Sequence, residues 1–303
     1  MSIKLKKGQY AEHQAEGMRI EMAWNDKVLD NLEQLYWSPK KLGLQSVKFA
    51  PTEDRSGFVV PRDSVVDGAR LYTRSSSFLE WRAAIHRDEE LLNQMIEIAL
   101  GIAPTAFIAR AFFAPLGIET AGPIEVIGRE VGARHAALAP QQYTQHDGFY
   151  VAPDAIVGME MKLGARTSIE QFLKYCTQIA LEEITHGRKK HVGLIYLVPE
   201  KLVASTRRDL ALDDPSVREQ VWEDPLAHTD KSRLRTLLRY HGTKIRDVGE
   251  RLRLDIITWD TFLETLLETR EVARLSEDET LGNLMDGLIA QVRATPGCSL
   301  LQA

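Results

Sequence analysis

The spacing of apolar residues changes character along the middle of the chain, and each change marks an element. His191 to Val198 is a continuous apolar run of strand length, the pattern of a strand buried on both faces. Ahead of it, Ile169, Phe172, Leu173, Cys176, Ile179 and Ala180 recur at helical spacing. That helix opens at Thr167-Ser168-Ile169-Glu170-Gln171 with capping-box chemistry and stops at Gly187. Met159 to Leu163 reads as the strand before the helix. Gln141 to Gln145, the turn signal His146-Asp147-Gly148 and Phe149 to Ala152 read as a preceding hairpin. Leu254 to Trp259 forms one more core strand, with Asp260 capping a helix through about Leu267.

The flanks add further elements. A helical stretch spans about Ser77 to Leu100, with Asp88 as N-cap of its second half and Gly101 as its stop. Gly122 to Arg129 contains a short alternating run of strand type. The charged segment 202–251 is largely helical, and an amphipathic helix from Asp278 to Ala294 ends at Pro296-Gly297. Near the N-terminus, Asn25-Asp26 caps a helix through Tyr36, and strand-like runs follow at Leu44 to Phe49 and Phe58 to Val60. The expected class is α/β (α+β), a central mixed β-sheet flanked by helices. The expected organisation is an N-terminal accessory region over 1–74, a core over 75–270 with a helical insertion at 202–251, and a C-terminal helix and tail over 271–303.

With 303 residues, 44% apolar and 27% charged, the chain is long enough to bury a substantial core and ordinary for a soluble protein. No apolar run reaches membrane-spanning length, and the basic stretch Met1 to Lys7 has no apolar segment after it to make a secretory signal. Cys176 and Cys298 form no metal-ligand spacing, and a reducing, cytoplasmic setting is expected. The net charge of −5 argues against a uniformly basic nucleic-acid binder. Lys231 to Arg253 is nevertheless strongly basic, and Arg233, Arg235, Arg239, Lys244 and Arg246 are candidates to neutralise backbone phosphates. A solvated helix face is the alternative for this stripe.

The chemistry concentrates at Pro153-Asp154, Glu160-Met161-Lys162 and the helix bearing Gln171 and Tyr175. Two carboxylates can hold a hard divalent cation, and a lysine two residues from an acid on a strand projects to the same face. Asp154 and Glu160 are six positions apart. In a straight strand at ~3.3 Å per residue they would be ~20 Å apart. A shared cation therefore requires the chain to fold back within Ala155 to Met159, where Gly158 supplies a permissive backbone. A cation on Asp154 and Glu160 would polarise a phosphate and lower the pKa of a bound water. Mg²⁺ suits a site with few carboxylates and retained waters, with Mn²⁺ as substitute. Lys162 would orient the attacking water, and Gln171, Tyr175 and Lys174 would contact phosphate or order the lysine. Each residue also has a plainer reading: Asp154 as a turn residue, Glu160 and Lys162 as a polar strand face, Gln171 as a helix cap, Tyr175 as a packed aromatic. The nuclease reading is favoured because the plain ones would all have to coincide in this order.

This arrangement resembles the PD-(D/E)xK nuclease superfamily, with Gln171-Phe172-Leu173-Lys174-Tyr175 similar to the Q-x-x-x-Y element of exonuclease-type members. The resemblance covers roughly residues 85–200 and the Leu254 to Leu267 unit. It implies a restriction-endonuclease-like core, a four-stranded mixed sheet flanked by helices, and Mg²⁺-dependent phosphodiester hydrolysis, usually of DNA. The gap between Asp154 and Glu160 is at the short end for that family, and Asp147 is the alternative first ligand. The family's acid on the first core helix would fall at Glu90, with Glu89 and Glu97 next in order. A homodimer would suit double-strand cutting.

Other classes find no motif. The histidines form no H-x-x-x-H and no His/Cys cluster, and there is no G-x-S-x-G and no P-loop. The rival reading is a catalytically inactive module of the same fold that binds nucleic acid or a protein partner.

Overall fold

The longest apolar run takes an interior position in a sheet, paired on both edges. The structure, a computed structural model, describes residues 50–51, 57–59, 76–77, 89–120, 122–128, 131–139, 147–164, 166–212, 214–295 and 298. In chain order these form strands β1 (Ala50–Pro51), β2 (Gly57–Val59) and β3 (Ser76–Ser77), helices α1 (Glu89–Ile102) and α2 (Thr105–Ile108), strand β4 (Glu125–Val126) and helix α3 (Val131–Arg134). Strands β5 (Gly148–Val151) and β6 (Ala155–Met161), helix α4 (Ile169–His186), strand β7 (His191–Val198) and helices α5 (Glu200–Asp209), α6 (Pro215–Glu223) and α7 (Ser232–Arg251) follow. Strand β8 (Arg253–Thr258) and helices α8 (Trp259–Leu275) and α9 (Glu279–Ala294) close the order.

The main sheet has five strands in the order β4-β5-β6-β7-β8, one more than the resemblance implied. Its first two pairings are antiparallel and its last two parallel, so the sheet is mixed. The class is α/β. β1 to β3 form a separate small antiparallel sheet. The expected helix at 25–36, the strands at 44–49 and 141–145, and the cap at Asp88 lie outside the described residues. Ser77, expected to start a helix, is in β3.

Strand alternation divides the core. Val157, Met159 and Met161 of β6 pack on one face with Leu92 and Ile96 of α1, Phe112, Trp259 and Leu288. Ile156, on the other face, joins Phe172, Tyr175 and Cys176 of α4, and Leu238 and Val248 of α7. The expected insertion 202–251 is thus integral to the second layer: Leu210, Val221, Trp222 and Ile245 all bury there. Thr258, rather than Asp260, caps α8, because β8 runs directly into the helix and the Thr258 hydroxyl accepts from Thr261 N–H at 3.1 Å. No described helix is long and apolar enough to cross a membrane.

Two adjacent acids on α4 anchor this layer. Glu182 and Glu183 are both buried, and each is matched to several donors. Glu182 receives Arg134 at 2.8 Å, His135 Nε2 at 2.8 Å and His186 Nδ1 at 3.0 Å. Glu183 receives Arg251 at 2.7 Å and Lys244 at 3.0 Å. Burial opposes ionisation of Glu182, but the hydrogen bonds from His135 and Arg134 outweigh it and hold its carboxyl below the ordinary value of 4.5. A carboxyl lowered in the folded state stabilises at neutral pH, and that stabilisation is lost as pH falls through the lowered value. We therefore expect the urea midpoint to drop below about pH 4.5, with a shallower drop in Glu182→Gln. Glu183→Ala, which removes the buried carboxylate from Lys244 and Arg251 and leaves them Asp247 at 3.7 and 3.1 Å, should cost about 1–3 kcal/mol by the same measurement at neutral pH.

Candidate active site

The hairpin of β5 and β6 decides which acids meet. Ala152 N–H donates to Ala155 O at 2.8 Å, so Pro153-Asp154 is the turn between the strands. From there β6 runs straight, paired along its length with β7 and with β5 over Ile156 to Met159; the chain does not fold back at Gly158. Asp154 and Glu160 therefore sit at opposite ends of one strand, ~20 Å apart at ~3.3 Å per residue. They do not share a cation, and Asp154 does not join the cluster around Glu160. Its carboxylate accepts from Thr120 Oγ1 at 2.6 Å beside the turn.

Asp147 takes that place. The register pairs Gly148 with Met159, so the next step sets Asp147 opposite Glu160. Met161 N–H donates to Asp147 Oδ2 at 2.7 Å, which fixes the carboxylate at this end of the hairpin. Glu160 projects to the α4 face, two residues before Lys162, and the Lys162 ammonium pairs with Glu160 Oε1. Both are buried, Glu160 at 4% and Lys162 at 9% exposure. The main chain at Lys162 is tied twice: its N–H donates to Leu197 O at 2.9 Å, and Trp259 Nε1 donates to its carbonyl at 3.1 Å.

Helix α4 completes the cluster. The Ser168 hydroxyl accepts from Gln171 N–H at 3.2 Å, capping the helix and leaving the Gln171 side chain for the site. Gln171 Nε2 donates to Glu160 Oε1 and to the Tyr175 hydroxyl at 2.8 Å, while its Oε1 accepts from Thr167 Oγ1 at 3.1 Å. Burial and the neighbouring Glu160 charge raise the Tyr175 hydroxyl well above its ordinary value, and Asp147 adds to this. Tyr150 and Tyr196 are likewise raised, first by burial, with Glu97 and Asp147 acting on Tyr150.

Sequence reading missed Asn93 on α1. It is buried, and its Nδ2 donates to Asp147 Oδ1 at 2.5 Å. One turn on, the Glu97 carboxylate lies against Gly128, where φ is 53° and any Cβ would overlap it. Glu97 is thus the described acid of α1 that reaches this region. Glu89 and Glu90 belong to α1, but their side chains lie outside the described residues. A polar residue one turn from three candidate acids, Glu89, Glu90 and Glu97, was the available signal for Asn93.

The basic candidates are largely engaged. Lys174 pairs with Glu170 at 2.8 Å, Lys244 with Glu183 at 3.0 Å and Arg246 with Glu250 at 2.6 Å. Arg235 donates to the carbonyls of Leu226 at 2.5 Å and Thr229 at 2.9 Å. Arg233 and Arg239 are exposed. The stripe therefore serves the fold along much of its length, since α7 packs its inner face against α4.

Asp147 and Glu160 stand at opposite register positions of the hairpin, and carboxylate oxygens are the donor type that suits Mg²⁺ or Mn²⁺. Among the described residues, no three His, Cys, Asp or Glu group to hold a metal, so a cation here would complete its shell with water. No family model, curated protein or solved structure matches the chain.

The raised tyrosines carry a stability consequence. Above about pH 10 the unfolded chain loses phenolic protons that the folded chain keeps, so stability declines as pH rises. Phenolate absorbance should show Tyr150, Tyr175 and Tyr196 ionising only as the protein unfolds. Free titration of all eight tyrosines near pH 10 would contradict this.

Proposed function

We propose that the protein is a metal-dependent nuclease that hydrolyses phosphodiester bonds, with DNA as substrate. What supports this reading above all is a buried lysine paired with Glu160 beside a second acid, Asp147. Burying charges costs free energy that a structural role could avoid with apolar residues, and such groups mark functional sites. Asp147 replaces Asp154 in the metal-ligand role, Glu160 and Lys162 keep the roles read from the sequence, and Gln171 and Tyr175 act on the Glu160 carboxylate rather than on phosphate or the lysine. The cytoplasmic setting and the homodimer belong to the same proposal.

Asp147 and Glu160 would hold the cation. When bound, Mg²⁺ would polarise the phosphate and acidify a water. The Lys162 ammonium would orient the attacking water and offset charge on the phosphoryl oxygens. Gln171, held by Thr167, keeps the Glu160 carboxylate turned toward Lys162, and Tyr175 closes the hydrogen-bond chain. The neutral Tyr175 hydroxyl adds no competing charge to the acids.

The test is cleavage of linear, circular and single-stranded DNA with Mg²⁺ or Mn²⁺. Lys162→Ala and Asp147→Asn should each lose activity by about 10²-fold or more. Asp154→Asn should cleave like wild type. Retained cleavage in Lys162→Ala would sink the reading. A folded wild type that cuts no substrate and binds no cation would point to the binding module.

A further inference from the structure

We propose that Asn93 is a positioning residue for the cation site: it sets the plane of Asp147 and takes a hydrogen bond from a water on the bound cation. The proposal rests on the nuclease reading and adds a residue to it. Asn93 is 3% exposed, so its carboxamide has no bulk water to satisfy it. Its Nδ2 is used on Asp147 Oδ1 at 2.5 Å, and Met161 N–H holds Asp147 Oδ2 at 2.7 Å. Each oxygen thus accepts a directed bond, one from α1 and one from the strand, and together they fix the carboxylate plane.

The other half of the carboxamide is unmatched. Asn93 Oδ1 is buried and has no hydrogen-bond partner. Buried acceptors without a donor are rare in folded proteins, and each asks for a missing water or ion. Asn93 bonds Asp147 and lies one helical turn before Glu97 on α1, and ionised carboxylates are acceptors only. A hydrated divalent cation on Asp147 brings the required donor, because its bound waters point their hydrogens outward. Tyr150, whose hydroxyl is also buried without a partner and senses both Glu97 and Asp147, lines the same side and gives a second polar group without a match. A carboxamide that served only to tie α1 to the hairpin would need its Nδ2 alone.

The experiment is calorimetric titration of the full chain with Mn²⁺, without DNA, on wild type, Asn93→Leu, Asn93→Ala and Glu160→Ala. Thermal unfolding without cation establishes that each variant is folded. Wild type should bind, Glu160→Ala should not, and the Asn93 variants should bind about 10–100-fold more weakly, as expected for loss of an outer-shell partner. Asn93→Ala carries the test if Asn93→Leu does not fold. Wild-type affinity in a folded Asn93 variant, with binding lost in Glu160→Ala, would overturn the role of Asn93 and leave the nuclease reading standing. Absence of Mn²⁺ binding in wild type would overturn both.

Discussion

Antiparallel pairing of β5 with β6 is the constraint on which the site depends. Side chains alternate along a strand, so a slip of one residue would turn Glu160 and Lys162 to the α1 face and bring Met159 and Met161 into their place. The register is held from both sides. The Ala152–Ala155 bond closes the turn, and β7 pairs with β6 from Ala155 to Met161. Asp147 then comes opposite Glu160 as a result of counting, and the bond from Met161 N–H locks the end of the ladder.

Pinning the main chain matters because the charges are buried. An ion pair in a low-dielectric site is favourable only with good geometry and satisfied remaining lone pairs. At Lys162 the geometry comes from Leu197 and Trp259, which hold the backbone from β7 and from α8. At Glu160 it comes from Gln171, whose own orientation is set by Thr167 and Tyr175. The polar cluster thus draws on the hairpin, β7, α4 and α8 together, and a shift of any one would break a bond that positions it.

Much of this was legible in the sequence, and the part that was not has a physical reason. The run His191 to Val198 became β7 with its predicted bounds, and the Ser168 cap with the stripe behind it became α4. Glu160, Lys162, Gln171 and Tyr175 met because strand and helix periodicity alone put them on facing surfaces. Asp154 failed because Pro153-Asp154 was read as part of the site when its chemistry was that of a turn. Had the turn been placed there, Asp147 and Glu160 would have stood out, each six residues from the near member of the Pro153-Asp154 pair. The basic segment misled for a different reason. Its cations read as a surface, but the acid that pairs with two of them, Lys244 and Arg251, is Glu183, far away in sequence on α4.

That helix links both ends of the chemistry. Gln171, Tyr175, Gln178 and Glu182 recur at intervals of four, three and four, so they form one polar stripe along α4. Gln178 and Glu182 are as deeply buried as Tyr175. The stripe begins at the Glu160 carboxylate and ends, ~16 Å away at ~1.5 Å per residue, in the grip of Arg134 and His135. A rigid helix clamped by an ion cluster at one end cannot rotate freely at the other. The Glu182 cluster therefore does more than stabilise the second layer: it sets the angle at which Gln171 presents its amide to Glu160. A polar stripe at helical spacing would be wasteful on a helix that merely fills a core. On one that must aim a side chain at a buried carboxylate, it supplies the fixed orientation that apolar packing alone would leave softer.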